Sequence, residues 1–138
     1  MKKILVAMDG SKESFRAAQL GAELAGGVGA SLVLAHVIRP AAELAGEHYS
    51  PDIQSWDRAQ EQEAIEFLDK AEQFAGMKAE RLILRGAPAE EIARFAEAKD
   101  IELVLVGSRG RGAVARLLLG SVSDRLVHIC SKPVLVAR

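Results

Sequence analysis

The segment Ile4 to Met8 is apolar at each position, and Leu32 to Val37 and Ile101 to Val106 are nearly so. A strand with one face in water alternates apolar with polar residues, whereas an unbroken apolar run suits a parallel strand covered on both faces. The first strand is therefore expected to be central. Between these runs the pattern changes to helical spacing. Phe15, Ala18, Ala22 and Ala25 recur as one side of a first helix, with Gly26-Gly27 as the expected stop. Ile53, Trp56, Ala64, Phe67, Leu68, Ala71 and Phe74 mark a long second helix with a Glu- and Gln-rich opposite face, after a polar, Pro-containing loop from Arg39 to Asp52. Arg81 to Arg85 makes a short third strand. Gly86-Ala87-Pro88 turns into a third helix with Ile92, Phe95 and Ala96 on its apolar side. After the fourth strand, Val122, Leu126 and Ile129 share one face of a last helix, Lys132-Pro133 breaks it, and Val134 to Ala137 forms the last strand.

Strands alternating with helices imply right-handed βαβ crossovers and a doubly wound open α/β sheet. Ligands of such sheets sit outside the carboxyl ends of the strands, where the winding reverses. With strand one central, that crevice lies between strands one and four and brings the loop from Asp9 to face the loop from Gly107.

Composition narrows the function. With 138 residues and 49% hydrophobic content, the chain suits one domain, residues 1–138. A formal net charge of -1, without a long run of Lys or Arg, leaves no electrostatic footprint for nucleic acid or an anionic membrane. Cys130 is the single cysteine, so no intrachain disulfide forms. Lys2 and Lys3 precede only a five-residue apolar run, which is too short for a signal peptide. A cytoplasmic protein is expected.

The most informative stretch is Val106-Gly107-Ser108-Arg109-Gly110-Arg111-Gly112-Ala113, leading to Gly120-Ser121-Val122-Ser123-Asp124. Glycines directly after a parallel strand let main-chain N–H groups approach a bulky anion with no Cβ in the way. Ser121 followed by Asp124 reads as a capping box, and the free N–H groups of a helix start favour an anion. Arg109 and Arg111 are near enough to add charge-assisted contacts. There is no Gly-Lys-Ser or Gly-Lys-Thr for a Walker A loop, and the first turn has only Gly10, too few glycines for a dinucleotide fingerprint.

The spacing Gly107-x-x-Gly110, nine residues, then Gly120-Ser121 resembles the nucleotide signature of the ATP-binding branch of the universal stress protein family. The likeness runs along nearly the whole chain: Ile4-Leu5-Val6-Ala7-Met8-Asp9-Gly10-Ser11, His36-Val37, Gly86-x-Pro88 and Lys132-Pro133-Val134-Leu135-Val136. It implies a five-stranded parallel sheet in the order 3-2-1-4-5 with helices on both faces, an adenine nucleotide alpha hydrolase-like fold. By the same resemblance Asp9 and Ala7 lie by the adenosine, Val37 meets the adenine through its backbone and Gly107 falls at the ribose. Gly110, Gly120, Ser121 and Val122 fall at the phosphates. Ser123 stands where many relatives have Thr, and the role of Arg109 stays open. The expected ligand is ATP, with or without Mg²⁺.

Other residues have plainer readings. A lone His36 in an apolar strand is expected to be packed and hydrogen-bonded, and His128 to complement a helix C-terminus. His48 and Tyr49 belong to the long loop. Trp56 is expected in the core or an interface, and no Cys and His group has metal-ligand spacing. Val134 to Ala137 lies at a sheet edge that invites pairing, and the resemblance likewise implies a homodimer through this strand; an edge protected by Pro133 and Arg138 is the alternative. Without a visible catalytic constellation, the expected role is a nucleotide-dependent stress-response or regulatory module. A slow Mg²⁺-dependent ATPase, with Asp9 or a Ser hydroxyl helping to hold the ion, is the alternative. A response-regulator receiver fails because Arg85-Gly86 stands where the phospho-acceptor Asp belongs and Lys132 precedes the last strand. A flavodoxin-like FMN site would need a Ser/Thr-rich first loop, and aromatic residues are only 4% of this chain.

Overall fold

The computed structural model describes residues 2–40, 53–109 and 119–138. Five strands, β1 Lys3–Met8, β2 Ser31–Ile38, β3 Ala79–Arg85, β4 Ile101–Gly107 and β5 Val134–Ala137, form one sheet in the order β3-β2-β1-β4-β5. Every pairing is parallel. The helices are α1 Lys12–Val28, α2 Ile53–Ala75, α3 Pro88–Ala98 and α4 Ser121–Ile129. The expected topology is present, with β1 at its centre.

Alternation along each strand sends successive side chains to opposite faces. Ile4, Val6, Leu32, Leu34 and Leu105 pack under α1 and α2 with Ala18, Phe67 and Leu68. Leu5, Val33, Ala35, Val104 and Val106 pack under α3 and α4 with Ile92, Ala96 and Leu126. Covering both faces is what the unbroken apolar runs require, and Ile4, Leu5 and Val6 are all fully buried.

Several boundaries differ from the sequence reading. Helix α1 passes through Gly26-Gly27 to Val28, and Gly29 ends it at φ 71°, its N–H donating to the Ala25 carbonyl. Glycine inside a helix costs only about 1 kcal/mol relative to alanine, whereas the left-handed cap needs glycine outright. The break therefore falls at Gly29. On α2, Ala64, Phe67, Leu68 and Ala71 are buried as expected, while Trp56 is 39% exposed and belongs to neither core cluster. Phe74 is exposed as well, its ring edge-on to Phe15.

The edge at β3 is tied to α2. Glu72 Oε2 accepts the Ala79 N–H at 2.7 Å, and ion pairs join Arg81 to Asp69 and Arg85 to Glu61. Across the sheet, Arg125 Nε donates to Glu90 Oε1 at 2.9 Å and links α4 to α3. That hydrogen bond, the main cause, with the positive charge of Arg125, holds the Glu90 carboxyl below its ordinary 4.5. A depressed carboxyl contributes stability above its unfolded pKa and loses it as pH falls through the folded value. Carbon-detected NMR titration should show Glu90 protonating below 4.5, and Arg125→Ala should raise it toward the ordinary range.

Leu105 is fully buried under α1. Truncating such a leucine removes burial and leaves a cavity, so Leu105→Ala should lower unfolding stability by about 2–5 kcal/mol in urea melts with little change in slope.

A cleft at the carboxyl ends of the central strands

The carboxyl ends of β1, β2 and β4 open into a cleft on the α3 and α4 side of the sheet. Its apolar walls are Ala7, Ala35, Val37 and Val106 from the strands, with Pro88 and Ile92 from the start of α3. Register explains the strand wall: Ala7 pairs with Ala35 on one side and Val106 on the other. Polar groups gather along one rim, where Asp9 and Ser14 meet Gly107 and the first turn of α4.

Asp9 is built into the turn that launches α1. Its Oδ1 accepts from Ser11 N–H at 2.9 Å and from Ser11 Oγ–H at 2.5 Å, and Ser11 Oγ caps α1 by accepting the Ser14 N–H at 3.1 Å. One carboxylate oxygen thus fixes the turn. The other, Oδ2, bonds to no described residue and remains an acceptor on a residue that lines the cleft.

Gly107, the last residue of β4, lies against the start of α1. A Cβ added there would lie 2.9 Å from both the carbonyl carbon and Cβ of Glu13, and 3.0 Å from Ser14 N. Backbone on both sides leaves no room to yield, so only glycine lets α1 sit this close to β4.

Ser108 ties β4 to β5 and to the start of α4. Its N–H donates to Ala137 O at 2.6 Å, and its carbonyl accepts from Gly120 N–H at 2.7 Å and from Ser123 Oγ–H at 3.1 Å. The two sides of the segment between Ser108 and Gly120 are therefore held together at its base. Gly120, not Ser121, is the N-cap of α4: Asp124 N–H donates to Gly120 O, and Gly120 has no side chain to occupy the N–H groups of the first turn. The expected Ser121–Asp124 capping box does not form, because the helix begins one residue earlier than the box requires. Ser123 Oγ lies within reach of both Ser108 O and Gly120 O, and its side chain is buried.

Of the residues singled out from sequence, Ala7, Asp9, Val37 and Val106 line the cleft, together with Gly107, Ser121, Val122 and Ser123. Ser108 and Gly120 form the hydrogen-bonded base beside it. Arg109 turns away; its Nη2 is 3.5 Å from Glu13 Oε1, and it lines a neighbouring groove. Gly110, Arg111, Gly112 and Ala113, like His48 and Tyr49, lie outside the described residues. Met8, Ser14, Ala35, Pro88 and Ile92, which were not anticipated, complete the lining with His36. Ala35 was legible through period two from Val37, and Ile92 as the first large aliphatic residue of a helix entering at the ligand end. His36 is packed and hydrogen-bonded as expected, Nδ1–H donating to Met8 O at 2.7 Å with the ring edge-on to Phe67. His128 Nδ1–H donates to Asp124 O one turn back along α4.

An open parallel sheet wound in both directions from β1, with a crevice at the reversal, defines a Rossmann-like α/β protein. The family model described as the universal stress protein family matches residues 1–138. The chain is 35% identical over 145 residues to the universal stress protein YxiE of Bacillus subtilis, covering 99% of this chain and 98% of that one. In fold it is similar to the universal stress protein UspA of Lactobacillus plantarum, with a TM-score of 0.85, 22% identity, and 99% and 97% of the two chains covered. It is also similar to a universal stress protein solved in complex with cAMP, at a TM-score of 0.69 and 25% identity over 99% and 96% of the two chains. The chain belongs to the universal stress protein family.

Gly107→Ala should separate α1 from β4. Overpacking against backbone costs about 1–3 kcal/mol, so thermal unfolding should move to lower temperature, and exchange protection should fall first at the amides of Ser11 to Phe15.

Proposed function

We propose that the cleft binds an adenine nucleotide, ATP in particular, and that the protein is a nucleotide-dependent regulatory module. The observation that carries this reading is two unspent polar features along one rim of an apolar slot. Asp9 lines it with Oδ2 bonded to no described residue, and α4 begins there with a glycine cap that leaves its first amides unmasked. A carboxylate oxygen suits ribose hydroxyls, and helix-start amides suit phosphate. Ala7, Ala35, Val37 and Val106 offer a flat apolar surface to a purine. Ser121 and Val122 line the part of the rim where phosphates would lie, and Gly107 the part where the ribose would. Gly110, Arg111, Gly112 and Ala113 enter the proposal from their place in the sequence signature alone. The similarity to a protein solved with cAMP supports the adenine class.

Asp9 is the one carboxylate among the described lining residues, and this reading gives its Oδ2 to the ribose, which leaves no second carboxylate among them as a base for water. Binding without turnover is the reading we adopt over a slow Mg²⁺-dependent ATPase. Calorimetry with the purified protein should give ATP binding, and incubation with Mg²⁺-ATP should release no phosphate above buffer. Asp9→Asn keeps an oxygen for Ser11 and removes the second acceptor; hydrogen bonds to charged groups are worth about 1.5–3 kcal/mol, so ATP affinity should fall roughly ten- to hundred-fold with the fold intact by circular dichroism. Absence of ATP binding at millimolar concentration would overturn the reading.

We also infer a homodimer through β5. Pro133 O and Ala137 O accept from Val104 N–H of β4 and from Ser108 N–H just after it, so by the two-residue period the main-chain groups of Val134 and Val136 face the free edge. Val136→Pro removes an outward N–H and spares the β4 ladder. Sedimentation should give a dimer for the natural chain and a monomer for this variant. Among the described residues no helix is long and apolar enough to cross a membrane. Cys130 is a free thiol, which suits the cytosol.

A further inference from the structure

A second concavity lies on the opposite side of the first turn of α1. It is lined by Lys12, Arg16 and Gln19 from α1, by Arg109 and Arg138, and by the aromatic pair Phe15 and Phe74, with Glu13 at its inner end. Four cationic side chains therefore face one carboxylate in a chain whose formal net charge is -1. Glu13 is nearly buried and already paired with Arg109. Lys12, Arg16 and Arg138 are exposed and form no ion pair with a described residue.

Helical spacing produces the arrangement. Lys12, Arg16 and Gln19 follow one another at four and three residues and share a face of α1, with Phe15 beside them. The Phe74 ring stands edge-on to Phe15, centroids 6.3 Å apart, and is 56% exposed. A large ring left in water beside three cations unpaired among the described residues has no part in either core. Its surroundings suit an apolar side chain flanked by negative charge.

We propose that this groove docks an acidic peptide segment of a partner protein, carrying an aromatic residue onto Phe15 and Phe74 and carboxylates onto Lys12, Arg16 and Arg138. The docking stands independently of the nucleotide reading. One consequence rests on that reading. Glu13 and Arg109 face the groove while Ser14 and Gly107, close to them along the chain, face the cleft, so a carboxylate that competes with Glu13 for Arg109 acts on the wall common to both.

The test uses fluorescence anisotropy with a fluorescein-labelled peptide in which Glu residues flank a single Phe. Binding should weaken as salt is raised, because exposed charge pairs are screened beyond about 8–10 Å at such ionic strengths. Arg16→Glu should raise Kd about ten-fold or more and Phe74→Ala about five-fold, whereas Lys99→Glu, on the C-cap of α3, should leave it within about two-fold. Circular dichroism of each variant checks folding. No binding of the peptide, or equal loss in Arg16→Glu and Lys99→Glu, would overturn the proposal. So would displacement of the peptide by a single-stranded oligonucleotide at lower concentration, or a dimer that dissociates on Arg16→Glu. ATP at saturation should change the peptide affinity, and the peptide should change ATP affinity by the same factor. Peptide binding indifferent to ATP would remove the coupling and leave the docking; absent ATP binding would remove the nucleotide reading and leave the docking measured without it.

Discussion

The approach of the α1 backbone to Gly107 sets the geometry of everything at the ligand end of the sheet. With 2.9 Å between a hypothetical Cβ and Glu13 main chain, helix and strand meet backbone to backbone at this end. That contact brings Ser14 to the cleft and holds Glu13 beside Arg109. It also seats the Asp9 turn beside the end of β4, where Ser11 Oγ lies 3.5 Å from Arg109 O. A larger residue at position 107 would spread these groups apart even though none of them is itself changed.

Much of the architecture was legible because burial on both faces leaves a direct mark: Ile4 to Met8 contains no polar residue, and β1 is the central strand. Helix ends were less legible. Gly26-Gly27 offers two glycines where Gly29 offers one, and composition cannot say which residue must adopt a positive φ. The start of α4 misled for a similar reason. Ser121 and Asp124 have the spacing of a capping box, but the Ser123 hydroxyl is drawn toward Ser108 O, a partner fifteen residues away in sequence. Arg109 was grouped with the phosphate-facing residues by its place among glycines, yet the buried carboxylate of Glu13 on another element decides its direction. Long-range partners of this kind leave no periodic trace in a chain.

Charge is divided across the first turn of α1. On the cleft side, the Asp9 carboxylate is half consumed by the Ser11 cap and half unspent; on the other side, exposed cations surround a phenylalanine left in water. The near-neutral net charge conceals this contrast, since an average over the chain cancels two local fields that a visiting molecule would meet separately.

Ser108 carries a consequence for how such a chain can vary. Its carbonyl gathers Gly120 N–H and the Ser123 hydroxyl, while its own N–H is anchored to Ala137. The two ends of the span between positions 108 and 120 are consequently held at one clasp between the sheet and α4. Closing a longer segment between fixed ends adds only about 0.6 kcal/mol per doubling of length. A change of length there would therefore cost the fold little and would bear instead on the Gly110 to Gly120 spacing, on which the nucleotide reading depends.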